Sequence, residues 1–101
     1  MSDRFAGSAL LIVGATGGIG SALSRRLAKQ GAHLALAART PEALESLAHE
    51  TGGIAIRMDA TQPTDVDAAF ARTVGEYGRL DGVAHCVGSL LLKPAHSPTN
   101  E

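Results

Sequence analysis

Four glycines fall within seven residues of this chain, in the run Gly14-Ala15-Thr16-Gly17-Gly18-Ile19-Gly20. An apolar run, Ala9 to Val13, precedes them, and Ile19, Leu23 and Leu27 follow at steps of four. The unbroken run reads as a strand buried on both faces, and the steps of four read as the apolar stripe of a helix. A glycine-rich joint between strand and helix is suited to holding a diphosphate. Gly14 lets the chain turn sharply, Gly17 or Gly18 keeps side chains out of the way of an approaching anion, and Gly20 lets the helix pack close to the sheet. The helix head then presents free N–H groups and a positive dipole end to the phosphates, with Thr16 and Ile19 in the same turn. A plain tight turn is the alternative, and the strand before and helix after argue against it.

A second station lies about 20 residues past the glycine turn, where a dinucleotide fold places the residue that meets the adenosine ribose. An acid there would bind the 2'-hydroxyl of NAD and repel a phosphate. This chain has Ala37-Ala38-Arg39-Thr40. A small residue followed by arginine suits a 2'-phosphate, which takes a bidentate guanidinium contact. The expected cofactor is therefore NADP(H) rather than NAD(H). The alternative is that Arg39 is a solvated loop residue.

The elements that must position these residues alternate in period. A strand over Ala9 to Val13 leads through the glycine turn into a helix that Gly31 ends. A second strand runs from Ala32 to Ala38. Thr40 then stands as N-cap, with Pro41 at the first helical position and Glu42 in the first turn. Leu44, Leu47 and Ala48 form that helix's stripe, and Gly52-Gly53 stops it. Ile54 to Met58 is a third strand, and Asp59 to Pro63 a turn. Val66, Phe70, Val74 and Tyr77 mark a third helix closed by Gly78, and Leu80 to Val87 is a fourth strand ended by Gly88. Strands alternating with helices of this length predict parallel pairing through right-handed crossovers. The expected architecture is a Rossmann-type α/β doubly wound parallel sheet, β-α-β-α-β-α-β, in strand order 3-2-1-4, forming one domain over residues 1–101. From Ser89 the pattern fails, Leu90 onward reads as a loop or short helical piece, and the fold reads as incomplete at its C-terminus. Val83, Ala84 and Val87 would then flank an unpaired edge, a reason to expect self-association.

The formal charge of -1 gives no electrostatic reason to expect nucleic acid or an anionic membrane as partner. The single cysteine, Cys86, excludes an internal disulfide and fits a reducing compartment. The first apolar run is too short for a signal-peptide core or a membrane span, so the expected location is the cytoplasm. His33, His49, His85 and His96 lack metal-ligand spacing. Cys86 reads as a buried structural thiol, because the side chain of neighbouring His85 should point to the other face of its strand.

With these stations in order, residues 9 to 96 resemble the short-chain dehydrogenase/reductase family. Its turn is usually threonine followed by G-x-x-x-G-x-G. Gly14, Gly18 and Gly20 fill the glycine positions and Val13 replaces the threonine. Gly17 also satisfies the G-x-x-G-x-x-G spacing of the longer, epimerase-like members that act on nucleotide-linked sugars. The resemblance implies that Asp59, with Ala60, contacts the adenine ring. It also implies that the end of the fourth strand lies beside the adenosine ribose, where Cys86, Val87 and Gly88 stand in place of the family's usual Asn-Ala-Gly. Family members transfer hydride between alcohols and carbonyls, using a serine and a tyrosine with a lysine four residues later. The only tyrosine here is Tyr77, and Asp81 stands four residues on. No catalytic residue is assigned, and those residues, with the small-molecule substrate, belong to a longer polypeptide. The alternatives are a non-catalytic dinucleotide-binding module and an epimerase-like enzyme.

Overall fold

A computed structural model describes residues 5–59 and 61–86, and by backbone alone strand residues 91–94. The elements in order are β1 (Ala9–Val13), α1 (Gly18–Lys29), β2 (His33–Ala38), α2 (Pro41–Thr51), β3 (Ile54–Arg57), α3 (Pro63–Tyr77), β4 (Gly82–His85) and β5 (Leu91–Pro94). They form a sheet in the order β3-β2-β1-β4-β5. The first four strands are parallel, with Ile12 opposite both Leu36 and Ala84. This is the expected doubly wound arrangement with strand order 3-2-1-4.

Both faces of the sheet are covered, which is why β1 is buried along its whole length. On one face Leu10, Ile12, Leu34, Leu36 and Ala38 pack with Leu27 of α1 and with Leu44, Leu47 and Ala48 of α2. On the other, Leu11, Val13, Ala35, Ala37, Ile56 and Met58 pack with Ala69 of α3, and Val66, Phe70 and Tyr77 lean on that cluster. Fully burying side chains such as Leu11 or Leu36 contributes about 1.5–3 kcal/mol each. The sequence stops α2 and α3 as expected, at Gly52 and Gly78, both left-handed. Thr40 is the N-cap of α2 but makes no side-chain capping bond. What starts the helix is its extended backbone ahead of Pro41.

Four expectations are corrected. Leu91–Pro94 is a strand, antiparallel to β4 with His85 opposite Leu91, rather than a loop or helical piece. The edge of β4 is therefore covered, and the reason given for self-association through it falls. The buried stripe of α1 starts at Gly20 and runs through Ser24 and Leu27, while Ile19 is 54% exposed. In α3 the stripe takes Thr73 instead of Val74, which is 45% exposed. Thr73 is tolerated in the core because its hydroxyl donates to Ala69 O at 2.7 Å.

Two side chains lock the other end of the sheet. Asp81 accepts the N–H of Ala9 at 2.8 Å and two bonds from the Arg79 guanidinium at 2.8 and 2.9 Å. Tyr77 donates its hydroxyl to Leu34 O at 2.7 Å and stacks on His33.

Candidate functional site

Parallel strands with helical crossovers bring every strand's C-terminal end to the same edge of the sheet. Ligands of such sheets bind beyond that edge, where the strand order reverses. Here the reversal falls between β1 and β4, since β1 leads back to β2 through α1 while β4 lies on its other side. Cys86 N–H donates to Val13 O at 2.8 Å, which sets the end of β4 directly beside the glycine turn.

Gly14 has φ 80°, a left-handed conformation that permits the turn. The N–H groups of Gly14 and Ala15 both donate to Ala37 O, at 2.8 and 3.1 Å, fastening the turn to the end of β2. Ala15 is fully buried beneath it. A Cβ on Gly20 would overlap Gly14 O and come within 2.9 Å of Ala15 Cα. The close approach that demands glycine is thus of α1 to the turn itself, more than to the sheet. A Cβ on Gly18 would meet nothing within 4 Å. Gly17, Gly18 and Ile19 are exposed and Thr16 is half-buried, so among the described residues no side chain covers the head of α1.

That head is uncompensated. The N-cap is Gly17, which has no side chain to cap with, and the first turn holds no acid. Helices α2 and α3 instead begin with proline and carry Glu42 and Asp65 in their first turns. Among the described residues the N–H groups of Gly18, Ile19 and Gly20 have no hydrogen-bond acceptor. The free donors and the positive dipole end make this the natural anion seat of the fold. The space in front of Gly18 is open, so an anion can reach these donors.

Farther along the same edge is an open cleft of about 470 Å³ lined by Arg39, Arg57, Met58, Asp59 and Asp65. Arg39 leaves the end of β2 and is exposed. Asp59 follows β3 and accepts bonds from both the hydroxyl and the N–H of Thr61, at 2.7 and 2.9 Å. These two bonds, with Arg39 nearby, hold its carboxyl below the usual carboxylate value. The Asp59 N–H donates to Asp65 at 3.0 Å. The turn-forming role of Asp59 is therefore present, and its position at the cleft leaves the adenine role open to it.

Cys86 is half-buried against the α1–α2 side of the core, and burial raises its thiol pKa, the opposite of an activated nucleophile. Ala60, Val87 and Gly88 lie outside the described residues. Sequence reasoning misses Arg57 and Asp65. The register Ala38↔Arg57 puts Arg57 beside the end of β2, and that pairing is the signal that would have found it. Tyr77 is remote from this edge: its hydroxyl is bound at Leu34, near the start of β2, whereas the glycine turn is bound at Ala37.

The sequence profile of the short chain dehydrogenase family matches residues 8–101, and the chain belongs to that family of oxidoreductases. An uncharacterized oxidoreductase of Bacillus subtilis (strain 168), YuxG, is 35% identical over 98 residues, covering 90% of this chain and 14% of that protein. The crystal structure of a dehydrogenase/reductase from Sinorhizobium meliloti 1021 is similar with a TM-score of 0.81 and 30% identity, over 86% of this chain and 37% of that one. That of 3-ketoacyl-(acyl-carrier-protein) reductase from Brucella melitensis, complexed with NADH, has a TM-score of 0.76 and 30% identity, over 79% and 34%. The chain thus spans a seventh to somewhat more than a third of the length of these three proteins. Among the described residues no helix is long and apolar enough to cross a membrane.

Proposed function

We propose that this chain holds the adenosine and diphosphate part of NADP(H) for a protein that moves hydride between an alcohol and a carbonyl. The observation that carries the reading is the bare head of α1: free N–H groups of Gly18, Ile19 and Gly20, with no capping side chain and no acid in the first turn. Thr16, Gly17 and Gly14 shape the seat, and Cys86 borders it from the end of β4; Val87 and Gly88 are assigned to the site by their sequence position alone. The Brucella melitensis relative was crystallised with NADH, which supports a nicotinamide dinucleotide as the ligand.

The preference for NADP(H) rests on Arg39. An exposed guanidinium at the end of β2, with no acid in that place, suits the 2'-phosphate. Asp59 is assigned to the adenine amino group, with Ala60 next to it. The cofactor supplies the hydride; this chain's residues bind and orient it. No proton-transfer residue is assigned here, since the Tyr77 hydroxyl is committed to Leu34 O at the far end of β2. The test is fluorescence titration with NADPH and NADH. The expected result is tighter binding of NADPH, and loss or reversal of that preference in Arg39→Asp. Equal affinity for both cofactors in the unmutated protein would refute the Arg39 assignment.

A further inference from the structure

The cleft beyond β2 and β3 contains a second guanidinium that the family resemblance does not assign. Arg57 is the last residue of β3 and pairs in register with Ala38, the residue before Arg39. Neighbouring strands lie about 4.8 Å apart, so the two arginines leave adjacent strand ends at the same edge. Both are exposed, and both line the same cleft. The acids of that cleft are already engaged. Asp59 accepts two bonds from Thr61, and Asp65 accepts the Asp59 N–H. The arginines are not: among the described residues neither Arg39 nor Arg57 has an ion pair within 4.0 Å, whereas Arg25 and Arg79 are paired with Glu50 and Asp81. Arg39 feels the charge of Asp59 without bonding to it, and two unbonded forks of five donors each, lining one open cleft, match a dianion with three terminal oxygens better than one fork does.

We infer that Arg57 is a specificity-determining residue that grips the cofactor's 2'-phosphate from β3 while Arg39 grips it from β2. The inference rests on the NADP(H) reading above and adds a residue to it. A single arginine on a loop discriminates weakly, because water and salt screen it. A second, fixed at a strand end, makes the contact bidentate from two sides.

The test is calorimetric titration of the protein with 2',5'-ADP and with 5'-AMP, which differ only in the 2'-phosphate. Arg57→Gln is expected to weaken 2',5'-ADP about tenfold while 5'-AMP changes by less than about twofold. Arg57→Lys should keep part of the lost affinity, since it retains charge without the fork. Thermal unfolding should be unchanged, because the side chain is exposed and unpaired. If Arg39→Gln abolishes the preference for 2',5'-ADP and Arg57→Gln leaves it intact, this inference fails and the NADP(H) reading stands. If Arg57→Gln weakens both ligands equally, the residue does not read the 2'-phosphate and the inference fails. If the unmutated protein does not distinguish the two ligands, both readings fail together.

Discussion

Replacing Gly18 with alanine separates folding from binding at the glycine turn. Gly18 is the first residue of α1, and its φ lies outside the left-handed range. A Cβ there meets nothing within 4 Å, so the fold accepts it without strain. Alanine also restricts the unfolded chain, and the expected change in stability is a gain of about 0.4–1 kcal/mol. On the proposed reading the same methyl group enters open space that the diphosphate takes at the head of α1. A phosphate oxygen needs about 2.9 Å to an amide nitrogen, while carbon and oxygen in contact need about 3.5 Å. The anion must retreat from at least one donor. A hydrogen bond to a charged group contributes about 1.5–3 kcal/mol, so affinity for NADP(H) should fall about 10- to 100-fold. Urea unfolding and NADPH titration of the same preparation measure the two effects. A Gly18→Ala protein that binds as tightly as the parent would show that the diphosphate does not sit at the head of α1, and the nucleotide assignment would go with it.

Other substitutions probe the surrounding supports. Gly20→Ala should lose both properties: its Cβ overlaps Gly14 O and the Ala15 backbone, which cannot move aside, and urea unfolding should show a loss of about 1–3 kcal/mol or more. Tyr77→Phe should cost about 0.5–1.5 kcal/mol by leaving Leu34 O without its donor, with NADPH affinity unchanged; a drop in affinity would contradict the placement of this hydroxyl far from the site. Asp81→Ala should destabilise by about 1–3 kcal/mol, because the N–H of fully buried Ala9 loses its acceptor. Arg79, then the Ala9 N–H, hold the Asp81 carboxyl below its ordinary value of 3.8. A carboxyl lowered on folding stabilises fully above 3.8, and that contribution is lost as pH falls through the folded value. The gap between parent and Asp81→Ala should thus be constant from neutral pH down to about 4 and narrow below it. A gap that widens in acid would contradict the pairing.

Much of this architecture is legible in the order of residues, because one physical rule is repeated. The central apolar runs, β1 and β2, are buried on both sides, glycines and prolines mark where the period changes, and parallel crossovers then force the ends of β1 to β4 to one edge. That rule brings Gly14, Arg39, Asp59 and Cys86 to a common edge from well separated sequence positions. Hydrophobicity alone misleads where a polar side chain satisfies itself. Ser24 and Thr73 are the buried polar residues among those described, and each hydroxyl donates to the carbonyl four residues back, at 2.7 Å. Once bonded in this way they fill core positions as small apolar residues would, and the more hydrophobic Ile19 and Val74 are left outside. β5 escapes for a different reason. A pairing that depends on a partner strand leaves no periodicity within four residues, so Leu91–Pro94 has no signature of its own.

Arg57 shows what a residue-by-residue reading cannot supply. Its neighbours alternate as a strand should, and a lone arginine at a strand end looks like a solvated cap. Its meaning comes from register: β3 pairs with β2 so that Arg57 faces Ala38, one residue before Arg39. A slip of that pairing by one residue would turn every side chain of β3 to the opposite face, burying Arg57 and exposing Ile56. The buried positions of Ile56 and Met58 therefore do more than fill the core beneath α3. They hold the register that sets the two arginines side by side, so a core substitution such as Ile56→Ser should weaken the preference for 2',5'-ADP although it touches no ligand. An Ile56→Ser protein that is measurably less stable yet keeps its full preference would show that the cleft does not depend on this register.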